Sequence, residues 1–183
     1  MSSNPYAPPK SEVADVDLLH PSSGTHVYLS VSVAKLLLLS FGTLGLYQYY
    51  WFYKNWQLHK LRTGESVSPF WRTFFGIIFC YPLFRRIGEY ASTSGTSGLN
   101  AGAFAAGWII PSLLWKLPDP YWLVIFLAVF ALVPVQRTVN EINAKTAPEC
   151  AVNAKIKGWN WLAVFPGLLL LALSILGAFL PNA

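Results

Sequence analysis

The side chains best suited to chemistry in this chain lie in one run, Thr43-Leu44-Gly45-Leu46-Tyr47-Gln48-Tyr49-Tyr50-Trp51-Phe52-Tyr53-Lys54-Asn55-Trp56. Thr43, Tyr47, Tyr50 and Lys54 recur at spacings of four, three and four, which puts an alcohol, two phenols and an ammonium on one helix face. Two readings of that face stand. The plainer is an interfacial aromatic belt, with amphipathic rings at headgroup level and Lys54 marking the cytoplasmic edge. The sharper is a cluster of hydroxyls lining a cavity or a partner groove beside Gly42 and Gly45, where a helix is free to bend.

The other polar residues bracket or interrupt apolar runs. Lys35 stands one or two turns inside a long apolar stretch, where its stem can snorkel to the outer headgroups. Arg72, Arg85 and Arg86 flank the twelve apolar residues Thr73 to Phe84 and read as anchors for anionic lipid phosphates. Arg137, Asn140, Glu141 and Asn143 form a polar cytoplasmic helix surface, either solvated or docked against Lys54 to Arg62 or a partner. Gly98, Gly102 and Ala106, spaced by four, make a small-residue face that lets membrane helices approach closely. Prolines 82, 111, 134 and 166 read as packing kinks in the later segments. Cys80 reads as a small apolar residue and Cys150 as a free cytosolic thiol. The two cysteines and three histidines offer no ligand spacing, and every acidic residue falls in a tail or loop, so no catalytic constellation, metal site or cofactor is expected.

The aromatic run resembles one found in a family of uncharacterised bacterial multi-pass inner-membrane proteins, a domain of unknown function carrying Thr-Leu-Gly-x-Tyr followed by Tyr-Trp-Phe-Tyr-Lys-Asn-Trp. Ser68-Pro69-Phe70-Trp71-Arg72 and the spacing Gln136, Arg137, Asn140, Asn143 are similar to two further motifs of that family. The resemblance extends from about Val31 to the last apolar run. It implies a multi-pass location in a bacterial inner membrane and carries no known activity.

The elements that must position these residues follow from composition. Of 183 residues, 54% are hydrophobic and 11% charged, against about a quarter charged in a soluble domain. Eight Trp, nine Tyr and twelve Phe exceed what one soluble core of this length hides, and lipid is the indicated solvent. The expected architecture is an all-α integral membrane protein with four transmembrane helices plus one short half-inserted or interfacial segment. A flexible polar, Pro-rich tail covers 1–26, with no cleavable signal peptide, and a single membrane domain covers 27–183. The spans fall at about 31–53, 99–115, 121–135 and 159–180, the short segment at 70–86, and cytoplasmic loops at 54–98 and 136–158. Thr73 to Phe84 rises only about 18 Å as helix, short of a hydrocarbon core of roughly 30 Å. The spans 99–115 and 121–135 are expected to pair as an antiparallel hairpin.

With the tail outside, this topology puts every basic residue but Lys10, Lys35 and Lys116 on the cytoplasmic side, a strong positive-inside bias. A rival topology, with Thr73 to Phe84 as a true span and the tail inside, leaves Lys54, Lys60, Arg62, Arg72 and Lys116 outside. The net charge of +5 is too dispersed to indicate nucleic acid. The function expected is that of a non-catalytic scaffold or accessory subunit binding the bilayer, a membrane protein partner, a second copy or lipid. The alternative is a small permease, channel or lipid-handling protein whose cavity is lined by Thr43, Tyr47 and Tyr50.

Overall fold

The computed structural model describes residues 26–149 and 151–179. The tail expected over 1–26 lies, apart from His26, outside the described residues, as does Cys150. All the regular structure described is helical: α1 Val33–Gly42, α2 Leu46–Thr63, α3 Pro69–Phe74, α4 Gly76–Thr93, α5 Ala101–Leu113, α6 Ala128–Thr146 and α7 Gly158–Phe179, with 3-10 turns at Leu114–Lys116 and Tyr121–Leu127 between α5 and α6. Two continuous helical stretches, Tyr121–Thr146 and Gly158–Phe179, are long and apolar enough to cross a membrane. By the same length argument α5, with 13 residues, rises about 20 Å and α1, with 10, about 15 Å.

The single span expected over 31–53 is two helices. Leu44 (φ 51°) and Gly45 (φ 90°) both adopt left-handed backbone, and a chain that takes two such residues in succession cannot continue a right-handed helix. Gly45 tolerates this without a Cβ penalty. Ser40 closes α1 by accepting from the amide of Gly45 (2.7 Å), and α2 then returns beside the chain that precedes α1. Leu29 N–H donates to Asn55 Oδ1 at 3.0 Å, whereas one straight helix would hold these positions about 39 Å apart. The first apolar run is therefore a helical hairpin.

The short segment at 70–86 is divided at Phe75 and bends there, since Arg72 and Arg86 both stand against the Trp56 ring, at 4.3 and 6.0 Å. α3 and α4 meet at Phe75, and Gly76 packs under the Trp108 ring while Arg86, ten residues on, reaches His59 of α2. The α1–α2 hairpin and the α3–α4 segment surround an aromatic core in which Phe52 stacks on Phe84 (6.0 Å) and meets Trp108 edge-on (4.8 Å), with Trp51, Trp56, Leu83, Ile87 and Leu132 fully buried beside them. Pro82, Pro111, Pro134 and Pro166 all lie inside continuous helices; the sharp break is at Thr43–Gly45, where there is no proline.

Helix α7 packs chiefly on α1. A Cβ on Gly42 would stand 2.8 Å from Val164, and one on Gly167 would overlap the Gly42 carbonyl, so two glycines permit the contact. Beyond Gly167 the helix presents Leu169, Leu170, Leu173, Leu176 and Phe179 outward. By contrast the expected packing face Gly98, Gly102 and Ala106 points outward; within the chain α5 approaches α6 through Gly107, opposite Ala131.

Candidate functional site

The hairpin turn builds one wall of a cavity. Thr43 is pinned by its place between two helices: its hydroxyl donates to Leu39 O (2.7 Å) and accepts from Tyr47 N–H (2.9 Å), closing α1 and opening α2 with one side chain. The next turn of α2 carries Tyr47 and Tyr50, whose rings lie 5.5 Å apart. These three residues line a cleft of about 340 Å³ between α1, α2 and the start of α7. Lys54 lies outside it and donates to Gln57 (2.9 Å).

The opposite wall was invisible in the sequence because it comes from far along the chain. Lys35 Nζ donates to Asn153 Oδ1 (2.8 Å) and to Lys155 O (2.7 Å), while Val31 makes a parallel bridge to Asn153. The lysine therefore does not snorkel outward alone; it fastens the start of α1 to the loop before α7. That loop delivers Asn153 and Lys157 to the cleft, and the first turn of α7 adds Trp159 and Asn160. Its lining contains two lysines and no carboxylate.

A second set of side chains holds the backbone of segment 27–31. Asn143 Oδ1 accepts from Val27 N–H (3.0 Å) and Tyr28 N–H (3.2 Å), and its Nδ2 donates to Tyr28 O (2.9 Å). Asn140 donates to Val31 O (2.9 Å), and Gln136 donates to Leu29 O (3.0 Å) while accepting from Trp51 Nε1 (2.5 Å). Gln136, Asn140 and Asn143 are spaced by four and three on the inner face of α6, a ladder of amides serving the irregular segment before α1. The polar surface expected from Arg137, Asn140, Glu141 and Asn143 is thus divided, since Arg137 and Glu141 are exposed on the other side. Asn143 and Gln136 are buried and used within the chain.

The arginines divide as well. Arg85 is exposed and paired with Glu89 (2.8 Å). Arg86 turns inward to Glu65 (2.5 Å) and His59 Nε2 (2.6 Å). Arg72 lies over the Trp56 ring at 4.3 Å. The three do not form one headgroup anchor. Arg62, which the sequence did not single out, is sandwiched between the Tyr28 and Tyr90 rings (4.7 and 4.3 Å) and bonds the Tyr28 hydroxyl (3.0 Å). Burial, then the neighbouring Arg86 and Arg62, push His59 down to about 4, so the ring is neutral near pH 7. Hydrogen bonding from Arg86 holds the Glu65 carboxyl below its ordinary range. Cys80 is a buried free thiol in the aromatic core. Among the described residues no three His, Cys, Asp or Glu side chains converge as a metal site would require.

Lys157, Asn153, Asn160, Gln48 and His59 are the polar residues that sequence reasoning missed. Gln48 and His59 carried a signal, since both lie with buried Asn55 on one helix face, at spacings of seven and four. These features define an all-helical protein with two helices able to cross a membrane and a basic, phenol-lined cleft beside one of them. No family model, curated protein or solved structure matches the chain.

Proposed function

We propose that this is a non-catalytic, multi-pass protein of a bacterial inner membrane that binds a lipid in the cleft between α1, α2 and α7. The observation that carries the reading is the meeting of Gly167 with Gly42. Gly167 lies nine residues into α7, about 14 Å along it. If α7 crosses the bilayer from Gly158, the α1–α2 turn lies near the midplane, and the cleft above it runs from headgroup depth into one leaflet. Irregular backbone is tolerated at that depth only when protein or a cavity covers it. Here α7 packs on the Gly42 side of the turn, and Trp108, Ser112 and Phe126 share a second cavity with Leu44 and Gly45 on the other side, while the Leu44 and Leu46 side chains face outward.

In this topology α6 and α7 cross, α5 crosses together with the 3-10 turn Leu114–Lys116 that extends it, and the α1–α2 hairpin and the α3–α4 segment enter one leaflet from the same side. The four-span arrangement loses its first span to the hairpin, and the start of the described chain moves to the cytoplasmic side. Charge supports the change. Lys35 sits against Asn153 and Lys155, Arg86 against Glu65, and Lys145 against Gly95, so the basic residues from Lys35 onward share one side, with Lys116 alone at the other. That is a stronger positive-inside bias than the single-span topology gives. Exposed Phe70, Trp71 and Phe74 on α3, and Phe75 at its end, suit the headgroup boundary of that leaflet.

Single cysteines at Ser97 and Leu117, in a background with Cys80 and Cys150 replaced by alanine, test the arrangement with a membrane-impermeant maleimide on right-side-out and inverted vesicles. The expected result is labelling of Ser97→Cys only in inverted vesicles and of Leu117→Cys only in right-side-out ones. A cysteine at His26, which is partly exposed at the start of that segment, labelled with the Leu117→Cys pattern would return the segment before α1 to the outside and refute the hairpin topology.

A further inference from the structure

The chemistry of the cleft goes beyond lipid binding in general. Lys35, Leu39 and Thr43 follow one another at four-residue spacing along α1, so the wall they form runs about 12 Å down the cleft. Cations occupy its upper end: Lys35 and Lys157 both line it, and among the described residues neither ammonium meets a carboxylate. Lys35 is 6% exposed and has two carbonyl oxygens as partners, which leaves one of its three N–H donors to spare. Asn160 Nδ2, shut off from solvent, meets no acceptor among the described residues. Further down stand Leu39, Ala163 and the phenols of Tyr47 and Tyr50.

Two like charges facing one small space repel, and a third partner of opposite sign relieves that repulsion. Several donors of different kinds, two ammoniums, an amide and two phenols, match a group with several non-bridging oxygens better than a planar carboxylate with two. A volume of about 340 Å³ falls at the lower end of the ligand-pocket range. The geometry points to a binding site for the phosphoryl group of an anionic amphiphile, held by Lys35, Lys157 and Asn160, with its alkyl chain descending past Leu39 and Ala163. This rests on the reading of α7 as a membrane-crossing helix. The same phosphoryl chemistry is offered by a phospholipid headgroup and by a free phosphate ester.

The test uses the full chain purified in mild detergent and titrated with phosphatidylglycerol or phosphatidylcholine, with retained lipid counted by native mass spectrometry. Phosphatidylglycerol is expected to be retained at least tenfold better than phosphatidylcholine. Lys157→Gln, which removes no hydrogen bond seen within the chain, is expected to reduce that retention about tenfold, the worth of one charge-assisted hydrogen bond. Lys35→Gln should lose as much, and Tyr47→Phe less. Competition by glycerol 3-phosphate would identify the phosphoryl group alone as sufficient, and its failure to compete would assign the site to the intact lipid. Equal retention of the two lipids, or unchanged retention in Lys157→Gln, overturns the inference. Alkaline carbonate extraction of the same membranes separates the two levels. A chain released by carbonate refutes the membrane reading itself, whereas a carbonate-resistant chain without headgroup preference refutes only the phosphoryl site.

Discussion

Replacing Asn143 by leucine tests whether the amide ladder of α6 holds the segment before the first helix. Leucine has nearly the same shape and no polar atoms, so the packing survives while three partners lose their bond: the amides of Val27 and Tyr28 and the carbonyl of Tyr28. Val27 and Tyr28 are 5% and 0% exposed, so water cannot replace the lost side chain without the segment moving. Each buried group left unmade costs about 1–3 kcal/mol, and three of them cost at least about 3 kcal/mol if the segment stays in place. The cheaper response is for residues 27–31 to lift away, which limits the loss of global stability and concentrates the effect locally. Since about 1.4 kcal/mol corresponds to a factor of ten, amide exchange in this segment should accelerate about a hundredfold. Hydrogen–deuterium exchange of the full chain in detergent, read on the peptide spanning Val27 to Val31, measures this directly. Arg137→Ala, on the opposite face of the same helix, is the control and should leave that peptide unchanged. If Asn143→Leu exchanged at the native rate, or if the native segment were unprotected, the ladder would not be what orders it.

Three further outcomes follow from the packing and charge. Gly167→Leu drives a side chain into the Gly42 carbonyl; overpacking of this kind costs about 1–3 kcal/mol, and α7 should loosen from α1, read as faster hydrogen–deuterium exchange in the peptides of both helices, whereas native exchange rates would refute the contact. His59 is held down to about 4, chiefly by burial and then by Arg86 and Arg62, so as pH falls below its ordinary 6.5 the unfolded chain takes up a proton that the native ring refuses. Stability should therefore be full above about pH 6.5 and decline by roughly 3 kcal/mol toward pH 4, measured as thermal unfolding against pH; His59→Gln should flatten that slope, and an unaltered slope would mean other groups set it. Trp71, 57% exposed on α3, should contribute fluorescence that lipids brominated near the headgroup quench more than lipids brominated at the chain terminus, read as the difference in quenching between the native chain and Trp71→Phe.

What the sequence made legible was local. The apolar runs, the helical class and the shared face of Thr43, Tyr47 and Tyr50 are all read from spacing, and these three residues do line one cleft. The hairpin turn was half legible: Gly42 and Gly45 marked a place where the helix could bend, but Leu44, the residue that reverses the chain with φ 51°, carries no such mark. Hydropathy cannot separate a helix that crosses from two that enter and return, because both bury the same apolar residues. Contacts between distant parts of the chain were out of reach. Lys35 meets Asn153 across 118 positions and Asn143 meets Val27 across 116, and nothing in either neighbourhood names the other. The four residues Arg137, Asn140, Glu141 and Asn143 looked like one surface because they are close in sequence, yet a helix turns about 100° per residue and sets Asn140 and Asn143 on the inner side.

The proposed placement of the hairpin in a bilayer accounts for how several buried amides and hydroxyls are used, and it also singles out the cleft. A chain that turns back inside a bilayer leaves backbone donors and acceptors without helical partners, and every one of them must be satisfied by protein. Thr43 serves the turn on both sides, and Asn55, Gln136, Asn140 and Asn143 serve the irregular segment before α1. Gln48 is likewise engaged by Trp108 Nε1 at 2.7 Å. These amides and hydroxyls are consumed in holding the fold, and replacing them should alter stability before it alters any activity. Lys157, Tyr47, Tyr50 and Asn160 are different: they share one cleft, and no backbone group described here requires them. Substitutions at Lys157, Tyr50 and Asn160, and Tyr47→Phe, which keeps the ring that packs against the core, are therefore the ones expected to change ligand binding while leaving the melting temperature in place, and the separation of those two readouts distinguishes a site from scaffolding.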